Sequence, residues 1–70
     1  MSVINMNLYQ VEYLYNGEFC RNNFNYEHEA KHFAVDISND KDVSDILVCE
    51  FGSYIGRIES INNCNAFVRI

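Results

Sequence analysis

The sequence predicts an α+β fold in which an antiparallel sheet of four to five strands carries one helix packed on one face, in the order ββαβββ. Three observations support this. Residues from Met6 to Tyr15 alternate at a period of two, and the hairpin dipeptide Asn16-Gly17 follows directly. Farther on, Tyr26, Ala30, Phe33, Ala34 and Ile37 recur at helical spacing. An antiparallel sheet with one helix across it is the simplest architecture that buries such a stripe.

The first strand sets Tyr9, Val11, Tyr13 and Tyr15 on one face and Leu8, Gln10, Glu12 and Leu14 on the other. Asn-Gly suits a type I′ turn, which needs positive φ at both central residues. Counting outward from it pairs Tyr15 with Glu18, Leu14 with Phe19, Tyr13 with Cys20, Glu12 with Arg21, and Tyr9 with Phe24. That register places an opposite-charge pair and an apolar pair on one face and aromatic residues on the other.

Asn25 is the expected helix N-cap, with Glu27 and Glu29 in the first turn, where carboxylates favour the helix dipole. The helix should end near Ile37 or Ser38, followed by a loop over residues 38–44. A third strand is expected over Asp45 to Phe51, with Leu47, Cys49 and Phe51 on one face. A type II′ turn at Gly52-Ser53 leads into a strand from Tyr54 to Ile61, and after the turn-like NNCN the strand AFVRI closes the chain.

Seventy residues make a single domain, residues 1–70, at a size where stability is marginal and a large catalytic cleft has no room. With 49% hydrophobic and 14% aromatic residues, the chain should fold. The start, MSVINMNLYQ, shows neither the basic nor the apolar region of a signal peptide, and no segment is apolar enough to span a bilayer, so a cytoplasmic location is expected. Cys20, Cys49 and Cys64 show no C-x-x-C spacing and read as three buried or half-buried free thiols. A net charge of -5, from ten acidic and five basic residues, argues against direct binding to a nucleic-acid backbone. Asn is abundant while Lys occurs only twice, a pattern that points to selection for negative charge in an AT-rich coding sequence.

HEAKH, residues 28–32, matches the His-Glu-x-x-His signature of zinc proteases. On the expected helix, however, His28 and His32 point away from the apolar stripe, and the chain has no third His. The motif therefore reads as surface, and neither a metal nor any other cofactor is expected. DISNDKDVSD is no calcium loop, with Lys41 where Gly is needed and Leu47 where a bidentate Glu is needed. Cys20 and Cys49 read inward, on the opposite side of the helix from the His pair, and the glycines are scattered. The expectation is a protein without enzymatic activity.

Surface character remains as the guide to function. Asp36, Asp40, Asp42 and Asp45 concentrate around the loop after the helix, with Glu27 and Glu29 at its other end, and together they form a candidate acidic docking surface. Leu8, Leu14 and Phe19 should share the sheet face away from the helix with Ile46, Val48 and Ile55. An apolar patch there, with Phe19 and Val48 as its binding residues, would seat a partner or a second copy.

Two strands, a helix carrying EAKHFA, and further strands resemble the plan of some small type I-F anti-CRISPR proteins of bacteriophages. The matching residues are Glu29-Ala30-Lys31 and Ala34, within a topology that covers roughly residues 8–60. The resemblance implies stoichiometric binding to a host nucleic-acid-handling complex in the host cytoplasm, with acidic residues occupying a site meant for phosphate. This helix departs from a basic-helix pattern by carrying two His and few Lys. The alternative expectation is an assembly protein that acts as a homodimer or subunit adaptor through its uncovered sheet face.

Overall fold

A computed structural model describes residues 8–70; the expected strand start at Met6 lies outside them. Five strands and one helix follow in order: β1 (Tyr9–Tyr15), β2 (Glu18–Phe24), α1 (Glu27–Ile37), β3 (Val43–Glu50), β4 (Ser53–Ile61) and β5 (Cys64–Arg69). All strand pairs are antiparallel, in the spatial order β2-β1-β3-β4-β5, and α1 lies across one face.

The β1–β2 register is the one Asn16-Gly17 dictates, from Tyr15↔Glu18 to Tyr9↔Phe24, with φ of 51° and 83° at the turn residues. Two more hairpins use the same solution. Phe51 and Gly52 take φ of 51° and 80° between Glu50 and Ser53, so this turn is type I′ over Phe51-Gly52 rather than type II′ over Gly52-Ser53. Asn62 and Asn63, at 52° and 65°, join Ile61 to Cys64, and β5 therefore starts two residues earlier than expected.

The core consists of Val11, Ala30, Ala34 and Val48, with Tyr13, Phe24, Phe33, Ile46, Ile58 and Phe67 among the side chains packed around it. Small residues at 30 and 34 bring the helix close to the sheet. Phe33 then wedges between the Phe24 and Tyr13 rings, with centroids 5.2 and 6.0 Å away. Gly56 is the corresponding small residue on β4: a Cβ there would run into the Phe67 ring and meet the Val68 carbonyl oxygen at 2.7 Å.

Three further expectations are corrected. Tyr26, not Asn25, is the N-cap, in extended backbone and without a side-chain capping bond; its ring stacks on His28 and is exposed rather than part of the buried stripe. Cys64 is exposed, whereas Cys20 is half-buried and Cys49 buried. Most consequentially, β3 presents the opposite parity. Val48 is fully buried under α1 and Ile46 packs beside it, while Leu47 and Cys49 face away. The register between β1 and β3 shifts between Glu12 and Leu14, where Asp45 takes φ of 54°, and a one-residue slip sends every later side chain to the other face.

Candidate binding site

The C-terminal end of α1 has no basic residue in its last turn, and Asp36 occupies that turn instead. Asp40 and Asp42 follow in a loop closed by its own hydrogen bonds. The Asn39 N–H donates to the Asp36 carbonyl, Asp40 to Ile37 and Val43 to Asp40, at 3.0–3.3 Å. The Asp40 carboxylate also accepts from the Asp42 N–H at 2.9 Å. From outside, the Asn65 amide donates to Ser38 Oγ at 3.0 Å and to Asn39 Oδ1 at 3.3 Å, and the Asn16 N–H donates to the Asp42 carbonyl at 2.8 Å. The loop is thereby tied to β5 on one side and to the β1–β2 turn on the other.

Among the described residues, none of Asp36, Asp40, Asp42 and Asp45 makes an ion pair. The exposed Asp36, Asp40 and Asp42 carboxylates sit at the negative end of the helix dipole, with Lys41 between two of them.

The other expected acids do not join this group. Glu27 lies about 14 Å away along the helix axis at 1.5 Å per residue. It is already paired, to Lys31 at 2.7 Å and to Arg69 at 3.4 Å. Lys31 hydrogen bonding, with Arg69 adding to it, holds the Glu27 carboxyl below the usual carboxylate range. Glu29 shares a helix flank with His28, His32 and Asp36, lining a shallow, open depression of about 490 Å³ beside Phe24 and Phe33. Asp45, turned by the bulge, instead borders a smaller hollow formed with Glu12, Leu14, Phe19 and Leu47.

Of the two expected apolar binding residues, Phe19 is 62% exposed on the open sheet face. Val48 is not available to a partner, being in the core beneath α1. The open face carries Leu47 and Tyr54 in addition, and it is laced with charge: Arg21 pairs with Glu12 at 2.9 Å, and Arg57 with Glu59 at 2.5 Å. Cys49 is buried among these side chains, and desolvation pushes its thiol pKa up.

His28 and His32 are both exposed, and among the described residues no group of three His, Cys, Asp or Glu side chains is placed to hold a metal ion. Nor is any helix among them long and apolar enough to cross a membrane. Comparisons with family models, curated proteins and solved structures gave no match. The site must therefore be read from its own geometry.

Sequence reasoning missed Phe51, which projects from the β3–β4 turn with 62% exposure. The FG dipeptide was the available signal, because an aromatic residue preceding Gly can itself occupy the first turn position.

Proposed function

We propose that this protein is a non-enzymatic binding protein that docks its acidic end, Asp36, Asp40 and Asp42, on a basic site of a larger partner. The observation that carries this reading is the placement of three carboxylates without ion pairs at a helix C-terminus, Asp36 in the last turn and Asp40 and Asp42 on the hydrogen-bonded loop after it. A carboxylate there opposes the helix dipole at a cost of about 0.3–1 kcal/mol. Local stability would favour Lys or Arg, and departures of this kind are characteristic of functional positions. Because the loop is already ordered, binding loses little conformational entropy. A partner with a basic groove, of the kind that holds nucleic-acid phosphate, matches the charge. Taken with the anti-CRISPR-like plan, this favours a phage-type inhibitor or modulator of a host nucleic-acid-handling complex in the bacterial cytoplasm.

The test is affinity capture from a bacterial lysate with the wild-type chain and with a variant carrying Asp36→Asn, Asp40→Asn and Asp42→Asn. A nucleic-acid-handling complex retained by the wild type, lost in the variant and released by salt supports the proposal. Equal retention by both proteins contradicts it.

A second reading has its own observation. Phe19, Leu47 and Tyr54 expose apolar surface on the open sheet face, as a subunit adaptor would. It predicts that Phe19→Asp abolishes capture while the three Asn substitutions leave it intact.

A further inference from the structure

Independently of the acidic end, we propose that β2 pairs antiparallel with β2 of a second copy about a two-fold axis at Cys20, joining two five-stranded sheets into one of ten. β2 is an outer strand of the sheet. Natural edge strands are blunted by bulges, Pro and charged side chains, Lys above all; β2 has no bulge, Pro or Lys, its seven residues EFCRNNF pair with β1 in unbroken register, and the guanidinium of Arg21 is already neutralised by Glu12. The other outer strand, β5, differs. Its Asn65 holds the loop at Ser38, its Arg69 holds Glu27, and Lys31 lies over its Phe67 ring.

The ladder fixes which groups face outward. In β1 the even-numbered residues bond toward β3, as the bond from the Phe51 N–H to the Leu8 carbonyl shows, and so the odd-numbered ones bond toward β2. Tyr9↔Phe24 and Tyr13↔Cys20 then turn the even-numbered residues of β2 inward. Phe19, Arg21 and Asn23 aim their N–H and C=O groups at solvent.

A two-fold axis perpendicular to the sheet preserves its faces, so opposed residues must have the same parity. An axis at Arg21 would oppose two guanidinium groups. An axis at Asn22 would leave Phe19 beyond the paired residues. The axis at Cys20 opposes Phe19 to Arg21 twice and Glu18 to Asn22 twice, with no like charges in register. Arg21 already lies 5.7 Å from the centroid of its own Phe19 ring, and Phe19 is 62% exposed, so the second guanidinium finds an open aromatic face. The helix packs on β1 and β3, which at about 4.8 Å per strand places the two helices roughly 19 Å apart, clear of each other. Cys20 then faces Cys20 in a non-hydrogen-bonded pair at a Cα separation of about 4.5 Å, within disulfide reach. A charge of -5 on each copy opposes association, so salt should strengthen this dimer.

The test is sedimentation of the full chain carrying Cys64→Ser, at rising concentration in about 0.1 M and about 1 M salt. Diamide follows, as an oxidant that takes two electrons and two protons from a pair of thiols. The expected result is a salt-strengthened dimer that diamide locks through Cys20. Phe19→Lys, which opposes a second cation to Arg21, should weaken it at least tenfold, and Arg21→Pro should abolish it with the far-UV spectrum retained. If Arg21→Pro does not fold, Phe19→Lys on its exposed site decides alone. A chain that stays monomeric to about 1 mM in both salts overturns the proposal. So does a dimer that diamide does not lock through Cys20, or one that survives Phe19→Lys unchanged.

Discussion

The backbone N–H of Asn16 donates to the carbonyl oxygen of Asp42 at 2.8 Å, joining the tip of the first hairpin to the acidic loop after the helix. Asn16 stands at φ of 51° in the Asn-Gly turn, so a local turn preference at residues 16–17 also sets the position of carboxylates 26 residues later. Replacing Gly17 by Val, which resists its φ of 83°, should destabilise the hairpin by about 1–3 kcal/mol. The same change should loosen the loop. Hydrogen exchange at the Asn16 and Val43 amides should rise together, and independent behaviour would show that turn and loop are not coupled.

Val48 separates core from surface. Because it is fully buried against Ala30 and Ala34, Val48→Asp should unfold the domain by placing an unpaired charge in the core. Phe33→Ala should cost about 3–5 kcal/mol by emptying the space between Phe24 and Tyr13. His28→Ala with His32→Ala should change stability little, since both are exposed. Thermal denaturation of the three variants checks this order, and a folded Val48→Asp protein would return Val48 to the surface.

These residues also mark what the sequence made legible. The first hairpin and the helix were readable because Asn16-Gly17 fixes a register and the stripe from Ala30 to Ile37 fixes a face. The parity of β3 was not, because Ile46, Leu47 and Val48 form an unbroken apolar run and only the bulge at Asp45 decides which of them turn inward. Likewise, the acidic group at the loop was visible as a run of Asp. The removal of Glu27 from it was not, since the Arg69 that helps neutralise Glu27 comes from a strand 42 residues away.

Phe51 occupies a left-handed turn position that suits Asn or Gly. Phe51→Asn should relieve that conformation and stabilise the hairpin by about 0.5–1 kcal/mol. A loss of stability on this change would mean that the exposed ring makes a compensating contact.

Glu27 gives a pH signature with a definite sign. Its folded pKa is lowered, so the stability it contributes is fully present above the ordinary Glu pKa of the unfolded chain and is lost as pH falls through the folded value. Glu27→Gln should therefore be less stable than wild type at neutral pH, and the two should converge in acid. A difference that persists unchanged to the lowest pH would rule out the Lys31 pair as its source.

Docking through the acidic end depends on charge, and so on salt. The decisive measurement is the affinity of the captured partner for the wild type and for the Asp36→Asn, Asp40→Asn, Asp42→Asn variant at two salt concentrations. Between about 0.1 M and about 1 M salt the screening length falls from about 10 Å to about 3 Å. Docking through the acidic end predicts a weaker wild-type complex at high salt, and a variant that folds normally but binds weakly at low salt, mainly through a slower on-rate. Binding that ignores salt and tolerates the three Asn substitutions would contradict it.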